Sequence, residues 1–156
     1  MRYSEAIANS IGTYLKEQDW SYDFNELSGT FFVEADLSCK LGAAMVVYQV
    51  TETGFMCYTT IEDEASAEMM HVVGEYLHRA NYGLTNGNFE FDYESGSVHY
   101  KTYFECPDEQ PTAKQLNDSM AIGLTVMDRY GDGLYELLHG GSVARQLIEK
   151  MEGQEG

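Results

Sequence analysis

The chain predicts an α+β fold: a single antiparallel sheet with helices packed on it, in the order α-β-β-β(-β)-α-β-β-α. Three observations lead there. Two stretches alternate apolar and polar residues with a period of two, as half-buried strands do. The gaps between successive strands are too short for parallel crossovers. Three longer stretches place apolar residues at helical spacing instead.

The first helix is expected over 4–18, with Ser4 as N-cap and Ile7, Ile11, Tyr14 and Leu15 on its apolar stripe. The period then changes to two. Trp20, Tyr22 and Phe24 alternate with Ser21 and Asp23, and 25–29 supplies turn residues. Phe31, Val33, Ala35 and Leu37 alternate with Phe32, Glu34 and Asp36, giving a strand with one apolar and one mostly polar face. A strand over 43–51 follows, then a turn at Thr53-Gly54 and a return strand over 55–61 with Phe55, Cys57, Thr59 and Ile61 on one side.

A second helix is expected over 64–81, capped by Asp63, with Glu64 and Glu68 at the positive end of its dipole. Its stripe is Met69, Val73, Tyr76, Leu77 and Ala80, and Gly83 stops it. A hairpin comes next: Phe89, Phe91 and Tyr93 on one arm, a turn at Glu94-Ser95-Gly96, then Val98, Tyr100, Thr102 and Phe104. Gly96 is expected at positive φ. Pro107 and Pro111 break the chain before a long helix over 112–130, with Leu116, Met120, Leu124 and Met127 inward. Gly131 and Gly133 are expected to interrupt that helix, although Leu134, Leu137 and Leu138 continue its pattern. Gly140-Gly141-Ser142 separates it from a short last helix carrying Val143, Leu147, Ile148 and Met151. One domain over 1–152 with a frayed tail over 153–156 fits the length of 156 residues.

Composition narrows function. Nine Lys and Arg stand against 26 Asp and Glu, for a formal net charge of −17. Phosphate affinity rests on cations, so nucleic acid is excluded as a partner, and an anionic membrane surface with it. No apolar run reaches the length of a membrane span, and the first residues lack the apolar core of a signal peptide. Cys39, Cys57 and Cys106 are odd in number and widely spaced, which suits inert thiols in a reducing cytoplasm.

The stretch 77–141 carries Leu77, Asn81 and Leu84, then Gly87-Asn88-Phe89-Glu90-Phe91-Asp92, then Gly96-Ser97-Val98-His99-Tyr100-Lys101. Asp128-Arg129-Tyr130 and Gly140-Gly141 follow. In these residues the chain resembles the YbjN family of small bacterial proteins, labelled sensory-transduction regulators. His99 and Lys101 stand where that family commonly shows Arg. The resemblance implies a fold similar to type III secretion chaperones, which are small, acidic, often dimeric and not catalytic. It implies partner binding of a regulatory or chaperone-like kind.

Four motifs offer chemistry. Glu68-x-x-His71 and Glu75-x-x-His78 resemble carboxylate-bridged metal sites, but both lie on one helix, about 10 Å of rise apart. A solvated helix face is the preferred reading. Asp128 to Gly133 lacks the further oxygen ligands of a calcium loop and reads as a helix kink with an Asp–Arg surface pair. His139-Gly140-Gly141-Ser142 has no accompanying nucleophile elbow and reads as a C-cap and linker. The cysteines have no motif that would make a thiolate. No catalytic residue, metal ligand or cofactor is assigned. Trp20, Tyr22, Phe24 and Phe32 are the candidate partner-binding residues: three aromatics on one face of an edge strand, and a fourth on a strand face otherwise polar.

The sequence therefore predicts a cytoplasmic, non-catalytic interaction module with an unidentified protein partner and a possible homodimer. A small metal-dependent enzyme using the helix His and Glu residues, or a purely self-associating structural protein, are the alternatives. The charge balance makes one prediction: no DNA or RNA gel shift at physiological salt. A sub-micromolar shift there would overturn the exclusion of nucleic acid.

Overall fold

The computed structural model describes residues 2–140 and 144–153. The chain runs α1 (Glu5–Glu17), β1 (Asp23–Asn25), β2 (Thr30–Asp36), β3 (Ala43–Val50) and β4 (Gly54–Thr60). It continues through α2 (Met70–Asn81), β5 (Asn88–Phe91), β6 (Val98–Glu105), α3 (Ala113–Leu138) and α4 (Ala144–Gly153). The six strands form one antiparallel sheet in the order β1-β2-β3-β4-β6-β5. This is the α+β architecture the alternation predicts, with four strands in the first run.

The strand pairing fixes which residues share a face. Phe31, Tyr48, Cys57 and Thr102 form one cross-strand row, and Phe89, Tyr100 and Thr59 another. These face the helices. Two buried clusters fill the space between. One lies under α1 and holds Ile7, Ile11, Leu15, Phe31, Tyr48 and Phe55. The other lies under α2 and α4 and holds Tyr76, Phe89, Tyr100, Leu134 and Ile148. Helix α3 crosses both, placing Met120 in the first and Met127 in the second.

Local chemistry starts the helices. Ser4 caps α1, its hydroxyl accepting from the Ile7 amide at 3.1 Å. Thr112 and Gln115 form a reciprocal capping box at the start of α3. Asp63 does not cap α2. The Ala65 amide donates to the Gly96 carbonyl at 2.9 Å, which holds that segment against the hairpin turn. A single 3-10 turn over Ala67–Met69, with Glu68 in it, then leads into α2 without a side-chain cap.

Three further expectations are corrected. Trp20 and Tyr22 precede β1, so only Phe24 of the three aromatics stands in the strand. β5 ends at Phe91, because Asp92 closes a turn by accepting from the Glu94 amide at 2.8 Å; Tyr93 leaves the stripe and is exposed. Gly131 and Gly133 do not interrupt α3, which runs unbroken for 26 residues. A β-carbon at Gly131 would collide with Cys39, and one at Gly133 with the Tyr76 ring. These glycines serve close packing, which outweighs their poor helix propensity. Gly141, Ser142 and Val143 lie outside the described residues, as does 154–156 of the expected tail; Gly153 is the last residue of α4.

Gly96 has φ +80°, as expected, and a β-carbon there would strike the Ala65 backbone. Gly96→Val combines left-handed strain with that collision, so the loss of stability should exceed the roughly 1–2 kcal/mol of strain alone. Chemical denaturation measures it, and an unchanged midpoint would show that this turn does not hold Ala65.

Candidate functional site

Among the described residues, helices cover one face of the sheet only. Phe32, Glu34, Met45, Val47, Met56, Tyr58, His99, Lys101 and Tyr103 point to the other face, by the same register that points their neighbours into the core. The four aromatics singled out from the sequence consequently separate. Phe24 pairs with Phe31 across β1 and β2 and faces the helices, its ring 4.3 Å from that of Phe31. Tyr22 lies 5.5 Å from Phe31, and both Tyr22 and Trp20 are half-buried against the α1 cluster. Phe32 points the opposite way, onto the helix-free face.

Tyr22 and Phe24 line a cleft of about 690 Å³ between α1 and the β1–β2 turn. Ala8 and Gly12 of α1 form one wall, Phe31 the floor and Leu27 the lip, with Glu5, Glu26 and Lys16 at the rim. The Tyr3 hydroxyl donates to the Glu26 carbonyl at 2.6 Å and ties the N-terminal segment to the turn. Leu27 is missing from the sequence-based candidates. It is 89% exposed, yet its position is fixed: the Asn25 side chain accepts from the Leu27 and Ser28 amides at 3.0 and 3.3 Å, and the Gly29 amide donates to the Asn25 carbonyl. An apolar residue inside the turn segment 25–29 was the available signal.

The remaining motifs have structural partners. Asp128 accepts from the Ser38 and Cys39 amides at 2.7 and 3.1 Å, and Asp132 from the Lys40 amide at 2.9 Å. The two carboxylates thus clasp the β2–β3 loop, and the expected Asp128–Arg129 surface pair gives way to this clasp. The Arg129 guanidinium lies over the Tyr130 ring at 5.2 Å. On α2, Glu75 pairs with Arg79 at 3.3 Å, and His71 approaches the Tyr93 ring at 6.3 Å. Among the described residues, no group of three or more His, Cys, Asp or Glu side chains is arranged to hold a metal ion. His139 stacks on Tyr135 and follows the end of α3.

Burial pushes the thiol of Cys57 well above its ordinary range, and it raises Cys39 and Cys106 as well. These groups remain protonated thiols near neutral pH, which disfavours a nucleophilic role. Among the described residues, no helix is long and apolar enough to cross a membrane.

The helix-free face carries one ionic cluster. Lys101 Nζ and His99 Nε2 each lie 2.7 Å from an oxygen of Glu90, and the Tyr58 ring meets His99 edge-on at 4.9 Å. Partial burial pushes the Glu90 carboxyl up, but hydrogen bonds from Lys101 and His99 outweigh it and hold it below the ordinary range. The bond to Glu90 raises Lys101.

The signs set a pH window. The Glu90 contribution is complete above the ordinary glutamate value and is lost as pH falls through the lowered one. The Lys101 contribution is complete below the ordinary lysine value and is lost as pH rises through the raised one. Glu90→Gln should therefore flatten the acid limb of the melting temperature against pH. Calorimetry across the acid range checks this, and an unaltered limb would remove Glu90 from the linkage.

No protein-family model matches this chain, and no curated protein matches it.

Proposed function

We propose that this protein is a non-catalytic interaction module of the bacterial cytoplasm, in the style of the YbjN-like and secretion-chaperone-like proteins it resembles. Its α1–hairpin cleft receives an apolar segment of a partner protein. Leu27 carries the reading. A hydrogen-bonded turn holds this leucine out in water beside the half-covered ring of Phe24. Covering a leucine of this kind is worth about 1.5–3 kcal/mol, which the isolated chain forgoes. Glu5 and Glu26 outnumber Lys16 at the rim, and the whole chain carries −17. The segment that fits is therefore apolar at its centre and flanked by Lys or Arg.

Leu27→Asp should abolish binding of Leu- and Phe-containing peptides flanked by lysines, and, because Leu27 is exposed, should leave the melting temperature nearly unchanged. The chain's one tryptophan, Trp20, half-buried near the α1 cluster, serves as a fluorescence reporter. Equal peptide affinity in wild type and variant, or none in either across a broad peptide panel, would remove the cleft from the reading.

A further inference from the structure

We infer that the helix-free face of the sheet packs against the same face of a second copy of this chain, about a twofold axis running along the strands between β3 and β4. This goes beyond the cleft reading and uses none of its residues.

The first observation is where charge is missing. Acids make up 26 of the 156 residues, yet β3 and β4 contain no Asp, Glu, Lys or Arg. Their inward residues are core, so their lack of charge is expected. Their outward residues are not covered by any helix among the described residues, and they are Ala43, Met45, Val47, Gln49, Met56, Tyr58 and Thr60. A charge-depleted centre with Met and Tyr enriched is the composition of an interface core.

The second observation is the pattern around that centre. Acidic Glu34 and Asp36 stand on β2, on one side of the midline; on the other, β6 presents Lys101 and His99, both bonded to Glu90 of β5, with Glu105 at the strand's end. A twofold axis along the strands lays β2 over β6 of the second copy, and β3 over β4. The cross-strand rows then set the partners. Glu34, Met45, Thr60 and His99 share a row, so Glu34 meets His99 of the second copy. Phe32, Val47, Tyr58 and Lys101 share the next, so Val47 meets Tyr58, and Phe32 meets the apolar stem of Lys101. An axis across the strands would stack β2 on β2, bringing the two acidic strands together, which like-charge repulsion opposes.

The third is size. Four full strands and two short edge strands, spaced about 4.8 Å apart, present a face of roughly 600 Å². Two stacked faces bury on the order of 1,200 Å², the lower end of the range for specific interfaces. That area suits a concentration-dependent dimer, with the two sheets about 10 Å apart.

Sedimentation equilibrium over a range of protein concentrations tests the inference. Wild type should approach twice the 17.6 kDa chain mass. Val47→Glu alone and Tyr58→Lys alone should each weaken association at least about tenfold. An equal mixture of the two variants should recover association, because the axis sets each new charge against its opposite. A wild type that stays monomeric overturns the inference. So does a dimer that survives both substitutions, or a mixture no tighter than its components. If either variant fails to fold by circular dichroism, peroxide oxidation of wild type decides the question. Met45 should oxidise more slowly as protein concentration rises, while Met70 on α2 should not; equal concentration dependence at the two sites overturns the inference.

Discussion

The fold depends on how closely α3 approaches what lies beneath it. A β-carbon at Gly123 would enter the Thr59 side chain on β4, one at Gly131 would enter Cys39, and one at Gly133 would enter the Tyr76 ring on α2. With those atoms absent, a helix about 39 Å long lies across both halves of the core. Short polar contacts then form. The Tyr76 hydroxyl donates to the Tyr130 carbonyl at 2.6 Å, and the Tyr48 and Ser119 hydroxyls bond at 2.9 Å in the buried interior. Lifting the helix by a methyl group would leave these buried hydroxyls unsatisfied, so packing and polar satisfaction reinforce each other here.

The same approach explains what the sequence discloses and what it hides. Strands β2 and β6 are legible because each buries one face, and a period of two survives in their residues. α1 is legible from Ser4 and the Ile7, Ile11, Leu15 spacing. The continuity of α3 is not, because glycine's local meaning is a break and its meaning here is set by residues 92 and 57 positions away, Cys39 and Tyr76. The Asp128 clasp is hidden for the same reason: its acceptor role depends on amides 90 and 89 residues distant. Asp63 misleads in the opposite direction. It has good capping chemistry, but the bond from Ala65 to Gly96 delays the helix past its reach.

The candidate surfaces show a parallel division. Aromatic residues near β1 are visible as a crowd, but only three-dimensional register reveals that Phe24 and Phe32 point to opposite faces. The outward face of β3 and β4 is nearly invisible, since Met45-Val46-Val47-Tyr48 and Phe55-Met56-Cys57-Tyr58 are continuous apolar runs. Such runs fit a strand buried on both faces as well as one buried on a single face. The helices fall on one side only, and that fact separates the two cases.

Charge gives this asymmetry its consequence. A chain at −17 repels copies of itself and other acidic proteins at long range, with the effect screened beyond about 8–10 Å in physiological salt. Association then requires either a cationic partner or a contact whose own ground is free of net acid. The two surfaces divide along that line: the cleft is rimmed by Glu5 and Glu26, while the centre of the open face is uncharged. The Glu90, His99 and Lys101 cluster sharpens the second case. It places Lys101 and His99 on β6, across the midline from Glu34, with Glu90 of the same chain already bonded to both, so that turning a second copy about the strand axis lays Glu34 over a charge-balanced cluster and not over bare acid. Repulsion between the acidic remainders of the two copies still limits affinity, so contact of the open faces should tighten as added salt screens it.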